Sequence, residues 1–248
     1  MEWFSVSSFI LFFIGTLAAI IGVMFGAAGF VLLPAMLLIG IPIHTTVAVN
    51  KFATGVSSLS TVVMLIVKKK IPLRFMLPSM FSAAIGGITG AFITTRLSEQ
   101  TMNVIACIVL IIAFFYVIKR NQRKLSIHTQ QEQPPKLLPS FFISIYDGGI
   151  GPGSALMNIT YFLNKQFSYV KAVEMTRFVM FASCISAFIF YYFSGVFNWG
   201  IAIPVTLGCI VGSHIGLKIV PYLKSKWIQL LLPVIFLILI SQIIVELF

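Results

Sequence analysis

Six runs of this 248-residue chain, residues 46–67, 72–95, 101–118, 172–193, 201–219 and 228–246, are apolar except for at most two charged side chains each. A helix rises about 1.5 Å per residue, so every one of them is long enough to cross the roughly 30 Å hydrocarbon core of a bilayer. The expected fold class is therefore an all-α polytopic membrane protein, with the lipid bilayer as its surroundings. Composition agrees: 59% of residues are hydrophobic and only 9% are charged, and the mean hydropathy of +1.04 excludes a soluble domain. The net charge of +11 would suit nucleic acid on a soluble chain. Here the Lys and Arg residues sit mostly between apolar runs, where they act as topology signals, and no nucleic-acid partner is expected. Cys107, Cys184 and Cys209 lie inside apolar runs without metal-ligand spacing. They read as small buried hydrophobes, so neither metal nor cofactor is expected. No Lys or Arg precedes the first apolar run, which argues against a removable signal peptide.

Two stretches interrupt the apolar pattern. Tyr146-Asp147-Gly148-Gly149-Ile150-Gly151-Pro152-Gly153-Ser154 holds four glycines, a proline and the chain's single aspartate. Interior Gly costs a helix about 1 kcal/mol and Pro about 3 kcal/mol, so a break is expected there. Gly22-Val23-Met24-Phe25-Gly26-Ala27-Ala28-Gly29 is a fainter version inside residues 5–40, which carry no charge. Each is read as two short helices meeting at glycines, a broken or re-entrant hairpin. After the first, Gly40 to Thr45 makes a turn, with Thr45 or Thr46 as N-cap of the next span.

The halves can be superposed. At an offset of 124, Gly29 falls on Gly153, Ala48 on Ala172 and Val49 on Val173; at 126, Pro78 falls on Pro204, Gly86 on Gly212, Gly90 on Gly216 and Leu97 on Leu223. The expected organisation is repeat 1 over residues 1–118 (hairpin 5–40; spans 46–67, 72–95 and 101–118), a polar linker over 119–137, and repeat 2 over 138–248 (hairpin 138–164; spans 172–193, 197–220 and 228–247). With the basic linker in the cytoplasm, a returning second hairpin also puts Lys165, Lys171, Lys218, Lys224 and Lys226 inside, as the positive-inside rule favours. Each half then makes an odd number of crossings, and the repeats are inverted, with both termini outside. Inverted repeats with helices broken near the midplane are the architecture of secondary transporters.

Lys51 and Arg177 stand at nearly equivalent places in the spans that follow the hairpins. A charge at the centre of a bilayer costs about 2.5–3.5 kcal/mol or more, so both are expected to face a cavity or a partner, and converging on one midplane cavity they would make an anion site. The bland alternatives are snorkelling, or pairing of Glu174 with Arg177 three residues on. Backbone N–H groups freed at Gly26, Gly29, Gly151 and Gly153 can hold an anion without a formal charge, with donors added by Asn50 and Ser154. Asp147, with Glu174, is a candidate carrier of a coupling proton; equally, Asp147 can cap the half-helix that follows it. His44 and His214 are isolated and take no ligand role. An aspartyl protease needs two aspartates, and no hydrolase or P-loop motif is present, so no enzyme is expected.

The runs Tyr146-Asp147-Gly148 and Gly151-Pro152-Gly153, with Ala48-Val49-Asn50-Lys51 and the basic turn Lys68-Lys69-Lys70, resemble the TauE/SafE family of membrane permeases over nearly the whole chain. The resemblance implies a secondary transporter exporting a small anion, a sulfur oxyanion such as sulfite or an organosulfonate, with protons as candidate coupling ion. It supports roles for Asn50, Lys51, Asp147, Gly151, Pro152, Gly153 and Arg177. Gly26-Ala27-Ala28-Gly29, Ala155 and Ser183-Cys184 depart from the family pattern, which bears on the substrate more than on the fold. The expected protein is a monomer or homodimer in a cell membrane, of the bacterial plasma-membrane type. An anion channel and a non-transport membrane scaffold are the competing readings.

Overall fold

The structure, a computed structural model, describes residues 6–98, 101, 108 and 134–223. Within them the chain is helical: α1 (Val6–Phe25), α2 (Ala28–Leu38), α3 (Ile43–Val67), α4 (Leu73–Thr94), α5 (Leu137–Gly149), α6 (Ser154–Asn164), α7 (Tyr169–Phe193) and α8 (Trp199–Ile219), then a 3-10 turn (Val220–Tyr222). Five of these, α1, α3, α4, α7 and α8 with its turn, are long and apolar enough to cross a membrane. The expected span over 228–247 lies outside the described residues, as does nearly all of the span over 101–118 and of the linker over 119–137.

Both glycine-rich stretches break the chain, but not alike. The second gives two short helices, α5 of 13 residues and α6 of 11, joined through Gly151 and Gly153, whose φ values of +91° and +81° few other residues adopt. The first gives a 20-residue α1 and an 11-residue α2, so its leading arm is a full span rather than a short helix. Gly22 lies inside α1, and the break is confined to Gly26 (φ +76°) and Ala27. A single glycine in an apolar helix is tolerated where neighbours pack on it, and a methyl at Gly22 would strike Ala28 as the chain returns. The cap expected at Thr45 or Thr46 does not form: Pro42 precedes α3, and the Thr46 hydroxyl donates back to the Ile41 carbonyl at 3.3 Å. Ser168 and Asn198 do cap, accepting backbone N–H bonds at the starts of α7 and α8.

Between helices in lipid, backbone approach replaces the hydrophobic drive, and small residues permit it. Gly86 lies against Phe141 and Ser144 of α5, and Gly90 against Ile145 and Gly149. Gly212 lies against Thr16 and Ala19 of α1, and Gly216 against Ile20 and Val23. The glycines matched at offset 126 thus each receive the leading hairpin helix of the opposite half, and in both pairs the helices run parallel. The 25-residue helices α3 and α7 pack antiparallel: Phe52 in the first half of α3 meets Phe188 toward the end of α7, with ring centroids 4.7 Å apart. At the other end Lys70, just beyond α3, meets Glu174 near the start of α7 at 2.7 Å. Pro78 and Pro204 both lie inside their helices, α4 and α8.

Candidate functional site

The two breaks meet. The backbone of Gly26 packs on Ala155 and Leu156 in the first turn of α6, so closely that a methyl there would overlap them. A methyl on Gly29 would come within 3.2 Å of the Pro152 Cα. At this seam lies a cavity of about 20 Å³, room for one water-sized molecule. The first break contributes Gly26, Ala28 and Gly29, and the second contributes Asp147, Gly151, Gly153, Ser154 and Ala155. Asn50, Lys51 and Thr54 of α3 and Met180 and Cys184 of α7 complete the lining. Both trailing hairpin helices, α2 and α6, therefore begin at the cavity wall. Their N-terminal turns bring the positive ends of two helix dipoles to one place.

Lys51 and Asp147 pair here, out of water. Nζ to Oδ1 is 3.4 Å, and the side chains are 1% and 2% exposed. Lys51 also donates to the Asp147 backbone carbonyl, which the end of α5 leaves without a helical partner. Its ammonium fits only because Gly151 has no side chain: a Cβ there would collide with Nζ. The carboxylate accepts two more bonds, from Ser154 Oγ to Oδ1 at 2.6 Å and from Cys184 Sγ to Oδ2 at 3.3 Å. Asp147 thus does not cap α6, whose N-cap is Gly153; it binds side chains from α3, α6 and α7 instead. Around it the hairpin is stiffened by the Tyr146 hydroxyl donating to the Pro152 carbonyl (2.7 Å) and the Tyr191 hydroxyl donating to the Gly149 carbonyl (2.9 Å).

Of the residues singled out in the sequence, Gly26, Gly29, Asn50, Lys51, Asp147, Gly151, Gly153 and Ser154 line the cavity. Arg177 and Glu174 do not. Arg177 is buried on α7, two turns before Cys184, and Glu174 pairs with Lys70 rather than with Arg177. Cys184 is more than a small hydrophobe, because its thiol faces the carboxylate. No local signal marked it, since the carboxylate it meets lies 37 residues away in the chain. His214, on α8, shares a hydrogen bond with Ser60 of α3 at 2.8 Å. Among the described residues no three His, Cys, Asp or Glu side chains converge as a metal site would require.

Comparison with known proteins decides the family. The family described as "Sulfite exporter TauE/SafE" matches residues 11–243, nearly the whole chain. The chain belongs to the TauE/SafE family. It is accordingly a multi-pass membrane protein of a transporter family and not an enzyme. It is 27% identical to "Probable membrane transporter protein ORF9" of Sinorhizobium sp, over 92% of this chain and 85% of that one. It is 24% identical to a "Probable membrane transporter protein" of Haemophilus influenzae, over 85% of this chain and 84% of that one. With "Probable membrane transporter protein YfcA" of Escherichia coli strain K12 it shares 22% identity, over 91% of this chain and 84% of the relative. No solved structure matches the chain significantly. The TauE/SafE match includes both glycine breaks, so the seam and its Lys51–Asp147 pair lie wholly inside the family region.

Proposed function

We propose that the protein is a secondary transporter that exports a small anion, a sulfur oxyanion such as sulfite or an organosulfonate, by alternating access between two inverted repeats. The observation that carries this reading is the buried Lys51–Asp147 pair at the seam of two broken hairpins, with the N-termini of α2 and α6 on the same wall. Two helix ends and an ammonium favour an anion, and the carboxylate now occupies the ammonium. The reciprocal packing of α1 on α8 and α5 on α4, with α3 antiparallel to α7, supports the inverted repeat.

An oxyanion is larger than the one water the cavity admits, so Lys51 and Asp147 must separate to receive it. Lys51 then becomes the counter-charge of the cargo. Asp147, deprived of its cation in a dry site, takes a proton, and that exchange is what couples anion to proton. Asn50, Ser154 and the backbone at Gly26, Gly29, Gly151 and Gly153 supply neutral contacts. The linker lies in the cytoplasm of a bacterial plasma membrane, which places the Lys68–Lys70 turn and the start of α7 on that side.

The test is flux in proteoliposomes with a panel of sulfite, thiosulfate, sulfonates and carboxylates under an imposed pH gradient. Saturable uptake of a sulfur oxyanion that responds to the gradient is expected, and Asp147→Asn should carry the anion without that response. An Asp147→Asn variant as gradient-dependent as the wild type removes Asp147 as proton carrier. Non-saturable flux indicates a channel.

A further inference from the structure

Lys51 and Arg177 are each the ninth residue of a 25-residue helix, α3 and α7. Because those helices run antiparallel, equivalent positions coincide only at their centres, and ninth residues fall on opposite sides of the crossing. Arg177 stands seven residues before the cavity residue Cys184, on the same helical face but about 10 Å further along the axis. Met180 lies between the two and touches Ser154 (Oγ to Sδ, 3.9 Å). Three residues before Arg177 comes Glu174, held by Lys70 at 2.7 Å. The Lys70 side chain is 45% exposed and Glu174 only 9%, so this pair marks where the α7 face reaches the surface. The order along α7 is the cavity residues Cys184 and Met180, then Arg177 one turn on, then the ion pair and the surface.

Arg177 is 4% exposed, and its Nε has no hydrogen-bond partner among the described residues. A buried guanidinium keeps its charge and offers five N–H donors, so it is costly to leave unpaired. The described residues contain two carboxylates, and both form ion pairs with other cations, Asp147 with Lys51 and Glu174 with Lys70, so that Asp147 acts on Arg177 only at longer range. We propose that Arg177 is a second anion station, separate from the Lys51 cavity, which the cargo occupies between that cavity and the Lys68–Lys70 turn. This rests on the reading of the chain as an anion transporter. A single cation in a dry passage would hold an anion too well; two stations let the ion leave one as it meets the next. The guanidinium fork matches two oxygens of one ligand, so the station favours an oxyanion over a halide.

The full-length protein, purified and reconstituted, is tested with sulfite, thiosulfate and sulfoacetate as probes, by equilibrium binding in a thermal-shift titration and by flux. Arg177→Gln is expected to bind the probe within about twofold of wild type, since the Lys51 cavity is intact, while maximal flux falls about tenfold or more. Arg177→Lys, which keeps the charge, should recover flux to within about threefold. Lys51→Ala should lose binding and flux together. Wild-type flux in Arg177→Gln overturns the second station, and so does loss of binding in Arg177→Gln, which would put both cations in one site. Arg177→Met removes the same charge with a side chain that a membrane helix accommodates readily, and it substitutes if the Gln variant does not fold. If neither folds, Arg177 is structural and the proposal fails. A wild type that neither binds nor moves any of the three probes rejects the sulfur-oxyanion reading itself, an outcome distinct from the others.

Discussion

Replacing Lys51 by Met removes one member of a buried pair and leaves its partner stranded. Asp147 would keep Ser154 Oγ at 2.6 Å and Cys184 Sγ at 3.3 Å as donors. It would lose the one cation within ion-pair distance among the described residues. Stranding a buried charge in this way costs about 3–5 kcal/mol. Adding Asp147→Asn removes the stranded charge, and a neutral buried site of similar volume is about as stable as the pair it replaces. The double variant should therefore recover most of the loss, and the two substitutions should be strongly non-additive across the cycle. The Asp147 backbone carbonyl loses its lysine donor in both Lys51 variants, so that contribution cancels between them. The assay is reversible unfolding in mixed micelles by titration with SDS, followed by helical circular dichroism, beside sulfite flux on the same preparations. Stability should return in the double variant while flux does not, because a neutral site has no counter-charge for an anion. A Lys51→Met variant as stable as wild type would refute the pair as a structural anchor. So would a double variant no more stable than the single, and flux in the double variant would refute Lys51 as the anion's counter-charge.

Two further expectations concern glycines, and the same unfolding assay checks both. A methyl at Gly148 collides with the Gly87 backbone, which cannot yield as a side-chain tip can, so Gly148→Ala should cost about 3 kcal/mol by prising α4 from α5. A methyl added at Gly40 would meet nothing within 4 Å, and only the φ of +82° there opposes it, so Gly40→Ala should cost about 1–2 kcal/mol and leave flux intact. Gly151→Ala meets the end of the Lys51 side chain first and the Asp147 backbone carbonyl at 3.1 Å, at a φ of +91°. It should lose flux and cost more than the roughly 1–2 kcal/mol strain of one left-handed residue, because Lys51 is pushed off the carboxylate; an active variant would show that Lys51 need not sit where the structure holds it.

How far the sequence could be read depended on whether a feature was local. The break at Ile150 to Gly153 was legible because Gly and Pro crowd a stretch where lipid otherwise demands unbroken helix, although Gly148 and Gly149 stay inside α5. Gly22 misled, since one glycine in an apolar helix serves packing as readily as breaking, and here it accommodates Ala28. The start of α3 misled too, because Pro42 sets that boundary and the threonines after it are not needed as caps. The contact of Gly26 with Ala155 and Leu156 had no local signature, being made between residues far apart in the chain. The separation of Lys51 from Arg177 was hidden for another reason. Their equivalence along the sequence suggested convergence, whereas antiparallel packing turns equivalence into displacement unless both residues lie at the crossing.

That displacement also orders the energetics of the α3–α7 pair. The cavity lies toward the end where Phe52, beside Lys51, packs on Phe188 (4.7 Å), Phe197 (5.4 Å) and Trp199 (5.5 Å), with Tyr192 6.0 Å from Phe197. Each such ring contact adds about 0.5–1.5 kcal/mol beyond its buried area, and none of it is screened by salt. At the other end Val62 and Leu65 of α3 join Val173, Phe178 and Val179 of α7 in one buried apolar cluster, to which Lys70 and Glu174 add a pair whose lysine is 45% exposed. A pair so open to water contributes no more than about 1 kcal/mol and weakens as ionic strength rises. Both ends of the two helices are thus joined by buried apolar contact, and only the ion pair's contribution is open to salt. Loss of the Lys70–Glu174 pair therefore leaves that cluster in place, and Arg177 lies one turn along α7 from the pair.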